Sequence, residues 1–188
     1  ANQGTMVYSR GYGWMDRERK VPTKPAAMIG IASCEKPITA AAIRRLARDG
    51  KLNLDAGLFD LLKIKPQGPI ADPRMAQITL RHLLAHTAGW GPDPVSEAAE
   101  AARKKGHSEP IPIDSKAWLP DPSAHPIPME LFLGFVMTQK LKNDPGAKAE
   151  YCNFGFDTLR HVITTVTGRP YIEYFQRGLF RPDVVREF

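Results

Sequence analysis

Two residues near the start of a predicted helix have the types and spacing of a nucleophile and its base. Ser33 and Lys36 stand in the run Ser33-Cys34-Glu35-Lys36, and residues i and i+3 share one face of a helix. A serine hydroxyl is a weak nucleophile that needs a neighbouring base. A lysine serves as that base when burial and nearby positive charge favour its neutral form. Taken alone, the S-x-x-K pattern is more often an N-terminal serine beside a surface lysine.

A second group with chemical potential, Tyr151-Cys152-Asn153, follows the turn sequence Asp144-Pro145-Gly146. A tyrosine close to a serine and a lysine can act as a base. An asparagine amide can orient a substrate through its donor and its acceptor. The alternative is a tyrosine packed at the start of a helix, with Asn153 as the N-cap. Considered by itself, this motif favours the structural alternative.

Several other side chains with possible chemistry are assigned mainly to packing. His82 and His86 suggest a serine–histidine pair, but both lie in a helix far along the chain from either motif, which favours core or cap roles. Trp90 and Trp118 are candidates for the wall of a substrate pocket, although packing is the more usual role of such side chains. Cys34 is expected to be buried on its helix, and no residue is placed as a base that would make it a nucleophile.

Regular elements must position the two motifs. A helix is predicted over 33–49, with Gly50 as its stop and an apolar stripe of Ile38, Ala41, Ala42 and Leu46. Strand character is limited to residues 5–12, whereas the charged and proline-containing stretch 14–27 is predicted to be a loop. Further helices are predicted over 80–86 with Thr79 as the N-cap, 95–105, 129–141, 155–167 ended by Gly168, and 170–178. The proline-rich stretch 107–128 is predicted to be a long loop.

The composition is that of an ordinary globular protein, with 43% hydrophobic and 24% charged residues. No apolar run reaches the ~18 residues of a membrane span. The net charge is +6, but the basic residues are scattered, which does not favour nucleic-acid binding. Cys34 and Cys152 lack metal-type spacing and are predicted to stay free thiols. The first residues lack the features of a signal peptide, and this absence weakly favours a cytoplasmic location. A leader cleaved earlier would leave the same sequence.

Three runs of sequence together resemble one family. The run IASCEKPITAAAIRRLARDGKLNLD resembles the first motif of the serine β-lactamase, penicillin-binding protein and esterase superfamily. The run ITLRHLLAHTAGW resembles a buried helix-and-turn segment of that superfamily. The run PGAKAEYCNFGFDTLRHVITTVTGRPYIEYFQRGLF resembles the class C β-lactamase and carboxylesterase branch, which has Y-x-N. The runs occur in family order and cover most of residues 5 to 182.

The resemblance implies a mechanism for these residues. Ser33 would attack a carbonyl to form an acyl-enzyme, while Lys36 and Tyr151 shuttle its proton. Asn153 would help to hold the substrate or the lysine, and the Ser33 backbone N–H would form half of an oxyanion hole; Trp90 stays the candidate for substrate binding named above. The resemblance implies no metal or organic cofactor and a small-molecule ester, amide or β-lactam substrate. The scattered charge and the short apolar runs predict neither nucleic acid nor membrane as a partner. The proline-rich insertion at 92–128 favours an esterase or transesterase over a β-lactamase.

The third motif of the family, K-T-G or H-x-G on a strand, does not occur between Tyr151 and Phe188. We therefore expect an α+β fold of the β-lactamase/transpeptidase type, with a helical domain and an incomplete antiparallel sheet. It would form one partial domain over 1–188, with a sheet remnant and loop (1–30), a helical region (31–182) and a divergent tail (183–188). Such a chain should be a poor catalyst that self-associates or needs a complementary chain. The rival hypothesis is an inactive, truncated relative that acts as a binding or regulatory protein.

Overall fold

Residues 5–95 and 128–176 are described by the computed structural model of the chain. Helices dominate the described part, and a two-stranded antiparallel sheet accompanies them. The chain divides into two units between Glu35 and Lys36, and each is considered by itself. The helix predicted over 95–105, the loop over 107–128, Trp118 and the tail at 183–188 lie wholly or almost wholly outside the described residues.

The first unit contains a short hairpin. Strand β1 (Trp14–Asp16) pairs antiparallel with β2 (Val21–Pro22), with an irregularity in the register after Trp14. The turn closes locally because the Asp16 carboxylate accepts a hydrogen bond from the Arg19 backbone N–H at 2.9 Å. Lys20 adopts a left-handed φ of 54° at the end of the turn. An isolated hairpin of this size is marginal on its own.

The strand predicted over residues 5–12 is wrong, and so is the loop predicted over 14–27, because the hairpin lies in the second stretch. Val7 and Tyr8 have strand-favouring side chains, but both are exposed, and residues 6–12 pair with no strand in the described part of the chain. Gly11 also lies so close to the chain that a Cβ there would sit 2.1 Å from the Thr23 carbonyl oxygen.

Helix α1 (Glu35–Arg48) confirms the first predicted helix, with a tighter start. Its first turn is a 3₁₀ turn at Ala32–Cys34. Gly50 ends the helix at a φ of 71°, and the two closing hydrogen bonds of a Schellman motif follow it. The predicted stripe is only partly right, because Ala41 is exposed and the buried side chains are those of Thr39, Ala40, Ala42, Ile43 and Leu46.

Within residues 36–95 and 128–176, five further helices have described bounds. Their bounds are α2 (Leu58–Leu62), α3 (Leu80–Leu84), α4 (Met129–Val136), α5 (Asn153–Thr167) and α6 (Tyr171–Tyr174). The predicted Thr79 cap on α3 is confirmed, and so is the end of α5 at Gly168, which has a φ of 65°. The prediction of a helix to residue 141 is wrong, since α4 ends at Val136 and the Thr138 hydroxyl donates to the Phe135 carbonyl at 2.7 Å. Neither α2 nor the 3₁₀ turn at Pro73–Gln77 was predicted.

The core of the second unit forms where α5 packs on α3 and α6. Aliphatic side chains from these helices, from α1 and from α4 are fully buried there, including Ile43, Leu46, Leu83, Leu133, Leu159 and Ile163. The Thr39 and Tyr171 hydroxyl groups are hydrogen-bonded at 2.5 Å and join α1 to α6. Lys36 lies at the start of α1, and Tyr151 lies two residues before the start of α5.

Candidate active site

Lys36 is the second residue of α1, and its side chain is half-buried. Its Nζ atom lies 5.1 Å from the centre of the Tyr151 ring and 5.7 Å from the centre of the Phe156 ring. Both distances are within the range of a cation–π contact. The fold therefore brings together a lysine and a tyrosine that are more than a hundred positions apart in the sequence.

The backbone that carries Tyr151 is laid along another segment by hydrogen bonds. A turn at Asp144–Ala147, closed by a 3.0 Å bond from Ala147 N to the Asp144 carbonyl, has Gly146 at a φ of 87°, as a type II turn requires. The Gly146 N–H then donates to the Thr87 carbonyl at 2.8 Å, and the Glu150 N–H donates to the His86 carbonyl at 2.8 Å. Residues 142–152 are thus held along residues 86–89, and this pairing fixes the backbone position of Tyr151.

An ion pair supports the same segment from its other side. The buried Asp72 carboxylate accepts hydrogen bonds from the Arg74 side chain and backbone, and from the Leu141 N–H at 3.1 Å. Arg74 also pairs with Asp144 at the turn. The Arg74 guanidinium holds the pKa of Asp72 well below its usual range, and the backbone bonds from Arg74 and Leu141 assist. These contacts tie residues 72–74 to residues 141–144.

Sequence reasoning assigned His86 to packing or capping, but its ring lies against Tyr151. The two ring centres are 4.7 Å apart, and the Phe156 ring is 4.9 Å from His86 on α5. The His86 Nδ1 atom accepts a hydrogen bond from the Cys152 backbone N–H at 3.1 Å. Burial, with the nearby Lys36 charge, lowers the pKa of His86. The sequence signal near His86 is the pair of glycines that follows it, Gly89 and Gly91. In the structure both glycines have a positive φ.

Ser33 lies in the 3₁₀ turn at Ala32–Cys34 and is exposed. Ala32, directly before it, has a left-handed φ of 45°, a conformation that a non-glycine residue adopts at a cost of about 1–2 kcal/mol. Ser33 belongs to the first unit, so its described environment is that turn. Lys36 follows three residues later in the sequence.

The remaining predicted site residues have distinct positions. Asn153 begins α5 and is exposed, and Cys152 rather than Asn153 occupies the N-cap position. Trp90 is buried, with its ring 5.2 Å from that of Phe154, and its role in substrate binding stays a prediction. Cys34 and Cys152 are free thiols. The prediction that Cys34 is buried is wrong, since Cys34 lies in the 3₁₀ turn and is exposed.

Among residues 5–95 and 128–176, no group of three or more His, Cys, Asp or Glu side chains is placed to hold a metal ion. None of the helices in these two stretches has the length and apolar character that crossing a membrane requires.

Comparison with known proteins defines the class. The fold is of the β-lactamase/transpeptidase type, and solved structures of that type superimpose on most of the chain. The Beta-lactamase family model matches residues 1–186. The chain belongs to this family of serine hydrolases, which confirms the resemblance seen in the three sequence runs.

Individual relatives cover the chain well but are much longer. Protein flp from Staphylococcus aureus (strain N315) is 29% identical over 180 residues, which are 95% of this chain and 31% of that protein. The octameric penicillin-binding protein homologue from Pyrococcus abyssi is 25% identical, with a TM-score of 0.63, over 99% of this chain and 40% of its own. EstCE1, a hydrolase with promiscuous acyltransferase activity, is 26% identical, with a TM-score of 0.63, over 93% and 42%. The chain therefore spans about a third of the length of the curated relatives it matches.

Proposed function

We propose that this chain carries the nucleophile and the proton-transfer residues of a serine hydrolase that cleaves carboxylic esters through an acyl-enzyme at Ser33. The observation that carries the proposal is the contact between Lys36 and Tyr151, with Nζ 5.1 Å from the ring centre. In the sequence, Ser33 stands three residues before Lys36. A serine followed at this spacing by a lysine that contacts a tyrosine is the set of groups that an acyl transfer needs.

The proposed chemistry has two halves. The Ser33 Oγ attacks the ester carbonyl, and its proton passes to the Lys36–Tyr151 pair, which returns it to the departing alcohol. Water then attacks the acyl-enzyme and gives one proton to the same pair, which returns it to the Ser33 Oγ as the bond to the acyl group breaks and the acid leaves. The Lys36 Nζ lies over the Tyr151 ring, and the Tyr151 phenol oxygen is proposed as the base that accepts the Ser33 proton. Asn153, exposed at the start of α5, is proposed to bind the substrate.

An ester substrate is proposed over an amide or a β-lactam, and the likeness to EstCE1, a hydrolase with promiscuous acyltransferase activity, supports this choice. Self-association, or association with a complementary chain, is also proposed. It is supported by the octameric relative from Pyrococcus abyssi and by exposed apolar side chains in the first unit, including Met6, Tyr8, Trp14, Met28 and Ile29.

The test is covalent labelling of the 188-residue chain with a fluorophosphonate, followed by intact mass and peptide mapping. We expect a single adduct on Ser33. It should disappear in Ser33→Ala and persist in Ser9→Ala, a matched change of another exposed serine. Tyr151→Phe removes the proton acceptor but keeps the ring that Lys36 contacts, so labelling should slow by about 10²–10⁴-fold.

Hydrolysis of p-nitrophenyl butyrate and of nitrocefin by the same samples separates ester from β-lactam specificity. An adduct that persists in Ser33→Ala would refute the assignment of the nucleophile. A folded chain that forms no adduct at all would instead favour the rival hypothesis of a binding or regulatory protein.

A further inference from the structure

We propose that His86 is a positioning residue for the Lys36–Tyr151 pair: its neutral ring, protonated on Nε2, holds the Tyr151 ring and the adjacent backbone, and a second proton on the ring releases them. This inference rests on the proposed function, because it deepens the account of the same site. The sequence alone predicted only a packing or capping role for His86.

The first support is that one residue binds the chain on both sides of Tyr151. The His86 carbonyl accepts the Glu150 N–H at 2.8 Å, and the His86 Nδ1 accepts the Cys152 N–H at 3.1 Å. His86 reaches both donors from a left-handed backbone with a φ of 57°, which is uncommon for a residue other than glycine. The backbone N–H groups of the residues before and after Tyr151 are thereby both bound by His86.

The second support is the placement of the ring. The centre of the His86 ring is 4.7 Å from that of Tyr151 and 4.9 Å from that of Phe156. The Lys36 Nζ contacts the same two aromatic rings, at 5.1 and 5.7 Å. The four side chains form one cluster, so a shift of His86 changes the surface against which both Lys36 and Tyr151 rest.

The hydrogen bond from Cys152 determines the tautomer. An imidazole nitrogen accepts a hydrogen bond only through its lone pair, so Nδ1 is unprotonated and the single ring proton lies on Nε2. When a second proton is added at Nδ1, the ring can no longer accept from the Cys152 N–H. Two N–H groups would then face each other, and the cluster would carry a second positive charge.

The groups around His86 make that protonation unfavourable at neutral pH. Among the described residues, the titratable groups near His86 are Lys36 on α1, Glu150, Tyr151 and Cys152 before α5, and His82 four positions earlier on α3. The Glu150 carboxylate is already engaged by Lys148 and Asn143, each at 2.8 Å. Burial and the Lys36 charge lower the pKa of His86, so the positioning state prevails at pH 7 and is lost on acidification.

Two substitutions separate the acceptor from the backbone conformation. Asparagine tolerates a left-handed backbone and places a carbonyl oxygen where the imidazole has Nδ1, so His86→Asn keeps the acceptor but cannot titrate. Glycine tolerates the same backbone and has no acceptor, so His86→Gly loses the bond and the ring. The matched control is His82→Asn, because the His82 Nδ1 also accepts a backbone N–H, from Thr79 at 3.2 Å.

The measurements are the rate of Ser33 phosphonylation against pH, the ¹⁵N shifts of the histidine rings, and the Tyr151 ring resonances. We expect His86→Gly to slow labelling by about 10–100-fold, as small misplacements of catalytic groups do. His86→Asn should keep most of the rate at pH 8 and lose the acidic limb of the profile, which in the wild type lies below about pH 6.5. His82→Asn should keep both the labelling rate and the acidic limb of the pH profile.

The spectroscopic arm is independent of activity. His86 should show the Nε2–H tautomer at pH 8, and the Tyr151 ring resonances should move as His86 titrates. An Nδ1–H tautomer, or Tyr151 resonances that ignore that titration, would overturn the inference even if Ser33 reacts. Equal losses in His86→Gly and His82→Asn would also overturn it, since a general loss of stability would then explain the effect. If the wild type is not labelled, the proposed function fails, while the Tyr151 resonances still decide the role of His86.

Discussion

Replacement of Asp72 by asparagine tests the ion pair that ties residues 72–74 to the segment leading to Tyr151. The Asp72 side chain is 7% exposed, and its two oxygens accept four hydrogen bonds, three from Arg74 and one from the Leu141 N–H. Asp72→Asn removes the charge and replaces one acceptor oxygen by an NH₂ group. That group would face two donors, the Arg74 Nη2 and the Leu141 N–H.

The expected cost follows from those bonds. A hydrogen bond to a charged group contributes about 1.5–3 kcal/mol, and two such bonds are lost or opposed. Arg74 is 37% exposed, so solvent screens its share, and a total of about 2–3 kcal/mol is expected at pH 7. The measurement is the free energy of unfolding in urea. The control is Asp60→Asn, an exposed aspartate on α2, which should stay within about 0.5 kcal/mol of the wild type.

The pH dependence gives a second, independent check. The pKa of Asp72 is held well below its usual range in the folded state by Arg74, whereas the unfolded value is about 3.9. Its contribution is therefore fully present above the unfolded pKa and is lost as the pH falls below about 4. The gap between wild type and Asp72→Asn should narrow from pH 6 to pH 3. A gap that stays constant over this range, or an Asp60→Asn variant that is equally destabilised, would refute the reasoning.

Two further predictions concern close packing and exposure. Gly89 and Gly50 both have a left-handed φ, 85° and 71°, but a Cβ would lie 2.3 Å from the Asn143 carbonyl oxygen at Gly89 and near no atom at Gly50. Substitution by alanine should therefore lower the free energy of unfolding in urea by about 2–4 kcal/mol at Gly89 and by about 1 kcal/mol at Gly50. Similar losses at both positions would show that residue 89 does not pack tightly against residue 143. Cys34 is exposed and Cys152 is buried, so a thiol reagent should modify one cysteine in the native chain and two in urea, whereas equal native rates would contradict the described burial.

The sequence predicted the elements whose signals are local. Helix α1 followed from its apolar stripe and from Gly50, and α3 followed from the Thr79 cap. Helix α5 was predicted almost to the residue, because Gly168 supplies the left-handed stop. Local signals failed where tertiary contacts decide. The helix at 129 ends at Val136, and the Met137 carbonyl then accepts a hydrogen bond from the Ala71 N–H.

The candidate site shows the same limit. Lys36, Tyr151 and their neighbours were found as motifs, because their types and order match a family. His86 was not predicted to lie with them, because its contacts are tertiary. Its carbonyl oxygen accepts a hydrogen bond from the Glu150 N–H, and its Nδ1 accepts one from the Cys152 N–H. The hairpin was misplaced for a related reason, because a strand needs a partner and Val7 and Tyr8 have none within residues 5–95 and 128–176.

The bonds that lay residues 142–152 along residues 86–89 have a consequence for how this fold can change over evolutionary time. Both segments are held by their own backbones, through Lys142 N to Gly89 O and Glu150 N to His86 O, each at 2.8 Å. The connection between them therefore does not set the register of Tyr151. We expect relatives of this chain to vary in the sequence that joins the two segments, while the backbone pairing that places Tyr151 is kept.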